Sequence, residues 1–136
     1  RCILPASSFI EWTPVDGHRQ PWLIRPERGA IAFAGLWDVW EMDGNHLESC
    51  ALITTDAAPG IDRLHNRMPV MLREQDFARW LDVDTPLGDP SDILRSRLPH
   101  PFVLAPVSPA VNNSRHKSEA LLAPVGAEER VEAVGQ

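Results

Sequence analysis

Short apolar runs broken by turn residues fill the first half of the chain. Residues 8–12 (Ser-Phe-Ile-Glu-Trp) read as a strand that stops at Thr13-Pro14, and residues 21–24 as a second that turns between Pro26 and Gly29. Residues 30–40 form a longer apolar run with Gly35 inside it, and a glycine within a strand predicts a bulge or a close approach of backbone. Asp43-Gly44-Asn45 has the residues of a tight hairpin turn, which makes residues 47–55 the returning strand. Strands adjacent in sequence and joined by tight turns pair antiparallel.

The period then changes. Residues 59–64 fit a short helix with Pro59 in its first turn, and residues 69–72 a brief extended piece. Residues 74–81 give the clearest helix, with Phe77, Trp80 and Leu81 on one face and acidic residues in the first turn. Asp89-Pro90 predicts a second helix through Leu98, with Asp89 as its N-cap, and residues 102–107 a last strand. From Leu122 the chain lacks periodicity and reads as a frayed tail that folding does not need. The expectation is one α+β domain over residues 1–121, an antiparallel sheet with a few short helices packed beside it, and a flexible tail over 122–136.

Composition narrows the function. At 136 residues, 43% hydrophobic and 24% charged, the chain has room for one core and is not of disordered type. No apolar run approaches the roughly 18 residues of a membrane span. No secretory signal opens the chain, and it lacks an initial Met, so it is expected to start inside a longer protein. A net charge of −6 argues against a broad basic face for nucleic acid, though not against a local patch. Lys117 is the single lysine; the other cations are arginines, which suit forked contacts to phosphate or carboxylate. Two cysteines are too few for a disulfide scaffold and lack metal-site spacing, so a reduced, cytoplasmic protein without metal or cofactor is expected.

Phosphate loops, nucleophile elbows and paired-histidine metal motifs are absent from the sequence. His18 and His46 lie beside turns, His100 between two prolines, and His116 in a polar stretch. Two ionisable residues have more informative settings. Glu11 alternates away from Ile10 and Trp12 and shares a face with Phe9, where lost hydration raises a carboxyl pKa toward neutrality; the other reading is an exposed strand position or an arginine partner. His65 precedes Asn66-Arg67-Met68-Pro69, and the proline fixes how that turn leaves. There His65 can titrate near neutrality and Arg67 can hold an anion; the other reading is a histidine on a backbone carbonyl and Arg67 paired with Asp62 or Asp56. Trp80 is expected in the core; Trp37 and Trp40 point to opposite faces of one strand and are expected there too, the other reading being one in the core and one a surface platform for stacking.

Several blocks now fall in order: Arg1-Cys2-Ile3-Leu4-Pro5-Ala6, Phe9-Ile10-Glu11-Trp12, Phe33-Ala34-Gly35-Leu36-Trp37, Ile53-Thr54-Thr55, His65-Asn66-Arg67-Met68-Pro69 and Val111-Asn112-Asn113. In order and spacing, to about Pro124, they resemble the SRAP family, the SOS-response-associated peptidase domains that act as abasic-site processing proteins. The chain departs from the family pattern at Ser8 and Ile10, where the family has Gly and Tyr, and at Asn66, where it has Asp. The Met-Cys-Gly-Arg start that supplies the family's nucleophile is also not in this sequence; Cys2 is a near-terminal substitute for it, but the resemblance aligns Cys2 with the family's internal Arg-Cys-x-x-Pro block, so it is expected as a small core residue, as is Cys50 within its strand.

The resemblance implies a curled or barrel-like sheet, of which this chain is the C-terminal part. It implies a monomer that binds single-stranded DNA containing abasic sites. An N-terminal Cys forms a thiazolidine crosslink with the lesion and the initiator Met is removed autoproteolytically. Glu11 and His65 would be catalytic, and Arg67 and Thr54 would contact DNA. Two rivals stand beside it: a non-catalytic module for single-stranded nucleic acid, and an inert remnant with unpaired sheet edges.

Overall fold

The computed structural model describes residues 1–135. Among them, the strands in chain order are β1 (Cys2–Ala6), β2 (Phe9–Val15), β3 (His18–Pro26), β4 (Ile31–Met42), β5 (Asn45–Leu52), β6 (Thr54–Asp56), β7 (Arg67–Pro69), β8 (Phe102–Pro106) and β9 (Glu129–Val131). A short helix, α1 (Phe77–Leu81), follows a 3-10 turn at Glu74–Asp76, and further 3-10 turns lie at Pro109–Asn112 and Glu119–Leu122. The ladders are antiparallel and form three sheets, ordered β1-β4-β5, β2-β3-β8-β9 and β6-β7. The α+β class and the pairing are as the sequence predicts. The strands are divided among separate ladders, so no barrel closes among the described residues.

The continuous apolar run at the start of β4 has a structural cause. Ile31 and Phe33 enter one buried cluster, with Ile24, Ile61, Phe102 and Leu104, while Ala34 enters a second, with Val70, Leu72, Trp80 and Ile93. A strand buried on both faces cannot alternate with polar residues. At Gly35 the cause is close packing rather than a bulge: the ladder register runs through it unbroken. A Cβ there would overlap Leu4 and lie 2.9 Å from Cys2 Sγ.

Beyond Gly35 the β4–β5 hairpin runs past both clusters. Trp37 and Trp40, expected in the core, are 56% and 48% exposed, and Cys50, also expected there, is exposed on β5. Cys2 is half-buried. The hairpin turn itself is as expected, with Asp43 and Gly44 at φ 50° and 77°, the left-handed pair of a two-residue loop. A second such turn, Asp16-Gly17 at φ 46° and 78°, joins β2 to β3. The sequence reading ends β2 at Pro14, yet the strand continues through it, because β2 is a sheet edge with one side of its backbone unpaired.

Two expected helices are turns. Over residues 59–64, backbone bonds run from Ile61 and Asp62 to Ala58 O and from Leu64 and His65 to Ile61 O, with Gly60 at φ 91° interrupting any helix. After Asp89, whose Oδ1 does cap Ser91 N, only Ile93 and Leu94 bond back to Pro90 O. Ile93 and Leu98 enter different clusters, so the chain must extend between them. The expected helix at 74–81 begins as a 3-10 turn; Phe77 and Trp80 pack inward while Leu81 is 47% exposed. The region expected to be a flexible tail contains β9, which extends the sheet beyond β8, and Val134, which exchanges two backbone bonds with Leu98. Val131 and Val134 anchor it singly, which leaves no period to read. Residue 136 of that region lies outside the described residues. Among the described residues no helix is long and apolar enough to cross a membrane.

Candidate active site

Glu11 is placed by β2. Two residues earlier on the same face, Phe9 meets Phe33 edge-on, with ring centroids 5.7 Å apart, so that face begins in the core. Glu11 stands where it emerges, half-buried and opposite Trp22 of β3. Burial pushes its carboxyl above the usual carboxylate pKa, and nearby His65 pulls it partly back. Its partial burial accords with a carboxyl short of hydration, and no arginine pairs with it among the described residues.

His65 ends the 58–65 turn. Its Nδ1 lies 2.9 Å from the carbonyl oxygen of Arg67 and accepts from the Arg67 N–H at 3.1 Å. One nitrogen cannot donate and accept at once. The neutral ring that accepts at Nδ1 carries its hydrogen on Nε2; a ring with hydrogen on Nδ1 donates to the carbonyl.

The two side chains meet in one cleft. It holds about 360 Å³ and is lined by Glu11, Trp12, Pro14, Arg19, Leu64 and His65. Trp12 and Arg19 escape the sequence reading. Alternation sends Trp12 to the face opposite Glu11, but at a sheet edge both faces can reach the same opening. The indole N–H of Trp12 donates to Asn112 Oδ1 at 2.6 Å, and Asn112 Nδ2 donates to the Arg19 carbonyl at 3.4 Å. The Val111-Asn112-Asn113 block thus braces the β2–β3 hairpin. Arg19 has no carboxylate partner among the described residues, and its signal in sequence is its register opposite Pro14 across a two-residue turn.

Arg67 opens β7, opposite Asp56 of β6. Its guanidinium donates to Asp56 Oδ1 at 3.3 Å, to the Thr54 carbonyl at 2.6 Å and to Thr54 Oγ1 at 2.9 Å. Both Arg67 and Asp56 are exposed, so water and salt weaken this pair. Arg67 and Thr54 are not cleft-lining residues; they adjoin it through the Arg67 backbone that holds His65. The other histidines take no part in the cleft. His46 lies exposed between Glu41 and Glu48, and burial holds His100 below the usual imidazole pKa as it stacks on Phe102. No cluster of three or more His, Cys, Asp or Glu that could hold a metal occurs among the described residues.

A donor-acceptor histidine, a raised carboxyl and an unpaired arginine around one opening can move protons beside a bound anion. Along most of its length the chain is similar to known proteins. The family model described as SOS response associated peptidase (SRAP) matches residues 1–114. The rat protein named abasic site processing protein HMCES is 32% identical, over 91% of this chain and 43% of its own length. The Bacillus subtilis abasic site processing protein YoqW is 35% identical, over 90% of this chain and 56% of its own. The chain thus spans about half the length of these curated relatives. A crystal structure of a Bacteroides thetaiotaomicron protein shares the fold at a TM-score of 0.80 and 19% identity, over 90% of this chain and 56% of that one. Matched along most of its length by the family model and by these relatives, the chain belongs to the SOS response associated peptidase family.

Proposed function

We propose that this chain supplies the proton-handling part of an abasic-site processing centre that acts on single-stranded DNA. The observation that carries the reading is the common cleft of Glu11 and His65, with the Glu11 carboxyl raised by burial. The relatives' names, abasic site processing proteins, give the substrate class.

An abasic sugar equilibrates with a ring-opened aldehyde. An amine adds to that carbon and water leaves, giving an imine. The thiolate of the same cysteine then adds to the imine carbon while the nitrogen takes a proton, closing a thiazolidine. Both nucleophiles sit on one residue, so the second attack is intramolecular and strongly favoured. A proton must be delivered to the departing hydroxyl and others removed from the amine and the thiol. A carboxyl raised toward neutrality does both, and in this reading Glu11 is that group, with His65 protonating the sugar oxygen on ring opening. Arg67 trades its exposed Asp56 contact for a flanking phosphate, and Thr54 Oγ1 adds a hydrogen bond to the strand.

The nucleophile is assigned through the family resemblance to an N-terminal Cys of the full-length protein. Neither cysteine here is assigned to it: Cys2 lies in β1 opposite Gly35, and Cys50 in β5. The same thiol and carboxyl would remove the initiator Met. The protein would work as a cytoplasmic monomer without a cofactor.

The test is a denaturing gel of full-length protein with a single-stranded oligonucleotide carrying one abasic site. Glu11→Gln and His65→Ala should each slow formation of the denaturation-resistant species by about 10²-fold, the low end of what a general acid–base contributes. Unchanged rates in both variants would overturn the assignment.

A further inference from the structure

We infer that Arg63 is a positioning residue for the Glu11–His65 pair, and that β9, which lies beyond the residues the family model matches, holds it in place. The inference rests on the reading of that pair as the working acid and base.

Arg63 stands two residues before His65 in the 58–65 turn. Its Nη2 donates to Glu129 Oε2 of β9 at 2.6 Å. Its guanidinium also lies 4.9 Å from the centre of the Trp22 ring. Trp22 is the ladder partner of Glu11, and its indole N–H donates to Thr13 Oγ1 at 3.1 Å, two residues along β2 on the same face. One guanidinium therefore joins three elements: the turn that carries His65, the hairpin that carries Glu11, and the C-terminal strand.

The second attachment is apolar. A Cβ on Gly60 would lie 2.6 Å from Val131 Cγ1, so β9 is packed directly on the turn. Ile61, fully buried, roots the turn from inside, and its carbonyl accepts from the His65 backbone N–H at 3.3 Å. Held between Ile61 and Val131, and tied sideways to Trp22, the turn has little freedom to carry His65 away from Glu11. The Arg63–Glu129 pair is exposed, and such pairs contribute little to stability. Its effect belongs in the geometry of the cleft rather than in the melting temperature.

The test compares full-length wild type with Arg63→Ala, Arg63→Lys and Glu129→Gln. The readings are the crosslinking rate at saturating abasic single-stranded oligonucleotide, the Kd for that strand, and the NMR titration of the Glu11 carboxyl. Arg63→Ala should lower the saturated rate about tenfold with Kd unchanged, as a sub-ångström displacement of reacting groups does. Its Glu11 titration should move upward as the opposing influence of His65 is lost. Arg63→Lys keeps the charge without the planar stack and should recover part of both; Glu129→Gln should fall between wild type and Arg63→Ala. A wild-type rate, or a slowed rate with the Glu11 titration unmoved, overturns the inference. If Arg63→Ala does not fold, Arg63→Lys and Glu129→Gln carry the same comparison. A wild type that forms no crosslink, yet whose Glu11 titration still responds to Arg63→Ala, overturns the functional reading alone and upholds the positioning.

Discussion

Two arginines converge on Asp76, and one of them is sealed from water. Arg73 donates to its carboxylate from Nε at 2.8 Å and Nη2 at 3.0 Å, and Arg97, its side chain fully buried, donates from Nη1 at 3.2 Å. Arg97 also gives Nη2 to the Asp92 carbonyl, but its Nε has no partner among the described residues. Asp76→Asn keeps the shape and removes the charge. Arg73 is partly exposed and can rehydrate; Arg97 cannot, so the cost is that of a buried charge losing its counter-ion, about 3–5 kcal/mol. The remaining carbonyl contact puts the expectation near the lower end, about 3 kcal/mol. For a chain of 136 residues, an unfolding entropy of about 2.1 cal/mol/K per residue turns this into a Tm lower by about 10 °C. Differential scanning calorimetry at pH 7 reads it.

The pH dependence follows from the same contacts. The Arg73 hydrogen bonds hold the Asp76 carboxyl below the usual carboxylate range. A depressed folded-state pKa contributes stability that is present above the unfolded value and lost as pH falls through the folded one. Asp76→Asn should therefore flatten the acid limb of the stability curve. A Tm within about 3 °C of wild type at pH 7, a loss under about 1 kcal/mol, would refute the reasoning. Asp76→Leu with Arg97→Met should then regain most of the loss, since an apolar pair of similar volume replaces the buried charges.

Glu11→Gln should raise the Tm at neutral pH while it slows chemistry. A raised folded-state pKa contributes stability only at low pH and loses it as pH rises through that value, so the gain over wild type should shrink toward pH 4 in paired calorimetric scans. Gly35→Ala should cost about 1–3 kcal/mol in urea unfolding, since its methyl collides with Leu4 and Cys2 between paired strands. Deleting residues 125–136 should lower the urea midpoint, because Val131 and Val134 pack on the core and Leu98 loses two backbone bonds; an unchanged midpoint would restore the view of this segment as dispensable.

What could be read in sequence was local. Asp43-Gly44 announces a hairpin because two left-handed residues in a row admit few side chains, and Glu11 announces its face because strand alternation carries Phe9 into the core. What escaped depends on partners distant in sequence. Trp37 and Trp40 look like core residues until the hairpin is seen to outrun both clusters. β9 is three residues long and gains its structure from the edge of β8, a dependence no local pattern records. Trp12 reaches the cleft from an edge strand, and Arg19 from its register opposite Pro14 across the turn. For the two lost helices, the demand that Ile93 and Leu98 reach different clusters, and that Gly60 turn left-handed against Val131, overrides helical spacing.

The seating of His65 on the backbone of one residue, Arg67, bears on speed. Its Nδ1 faces both the N–H and the carbonyl of Arg67, so the ring finds a complementary backbone atom whether it is neutral or cationic. A hydrogen arriving on Nδ1 meets an acceptor already 2.9 Å away. In the proposed reaction, an imidazole mounted this way would exchange a hydrogen ion with a low reorganisation penalty, its Nδ1 contacts being built into the chain.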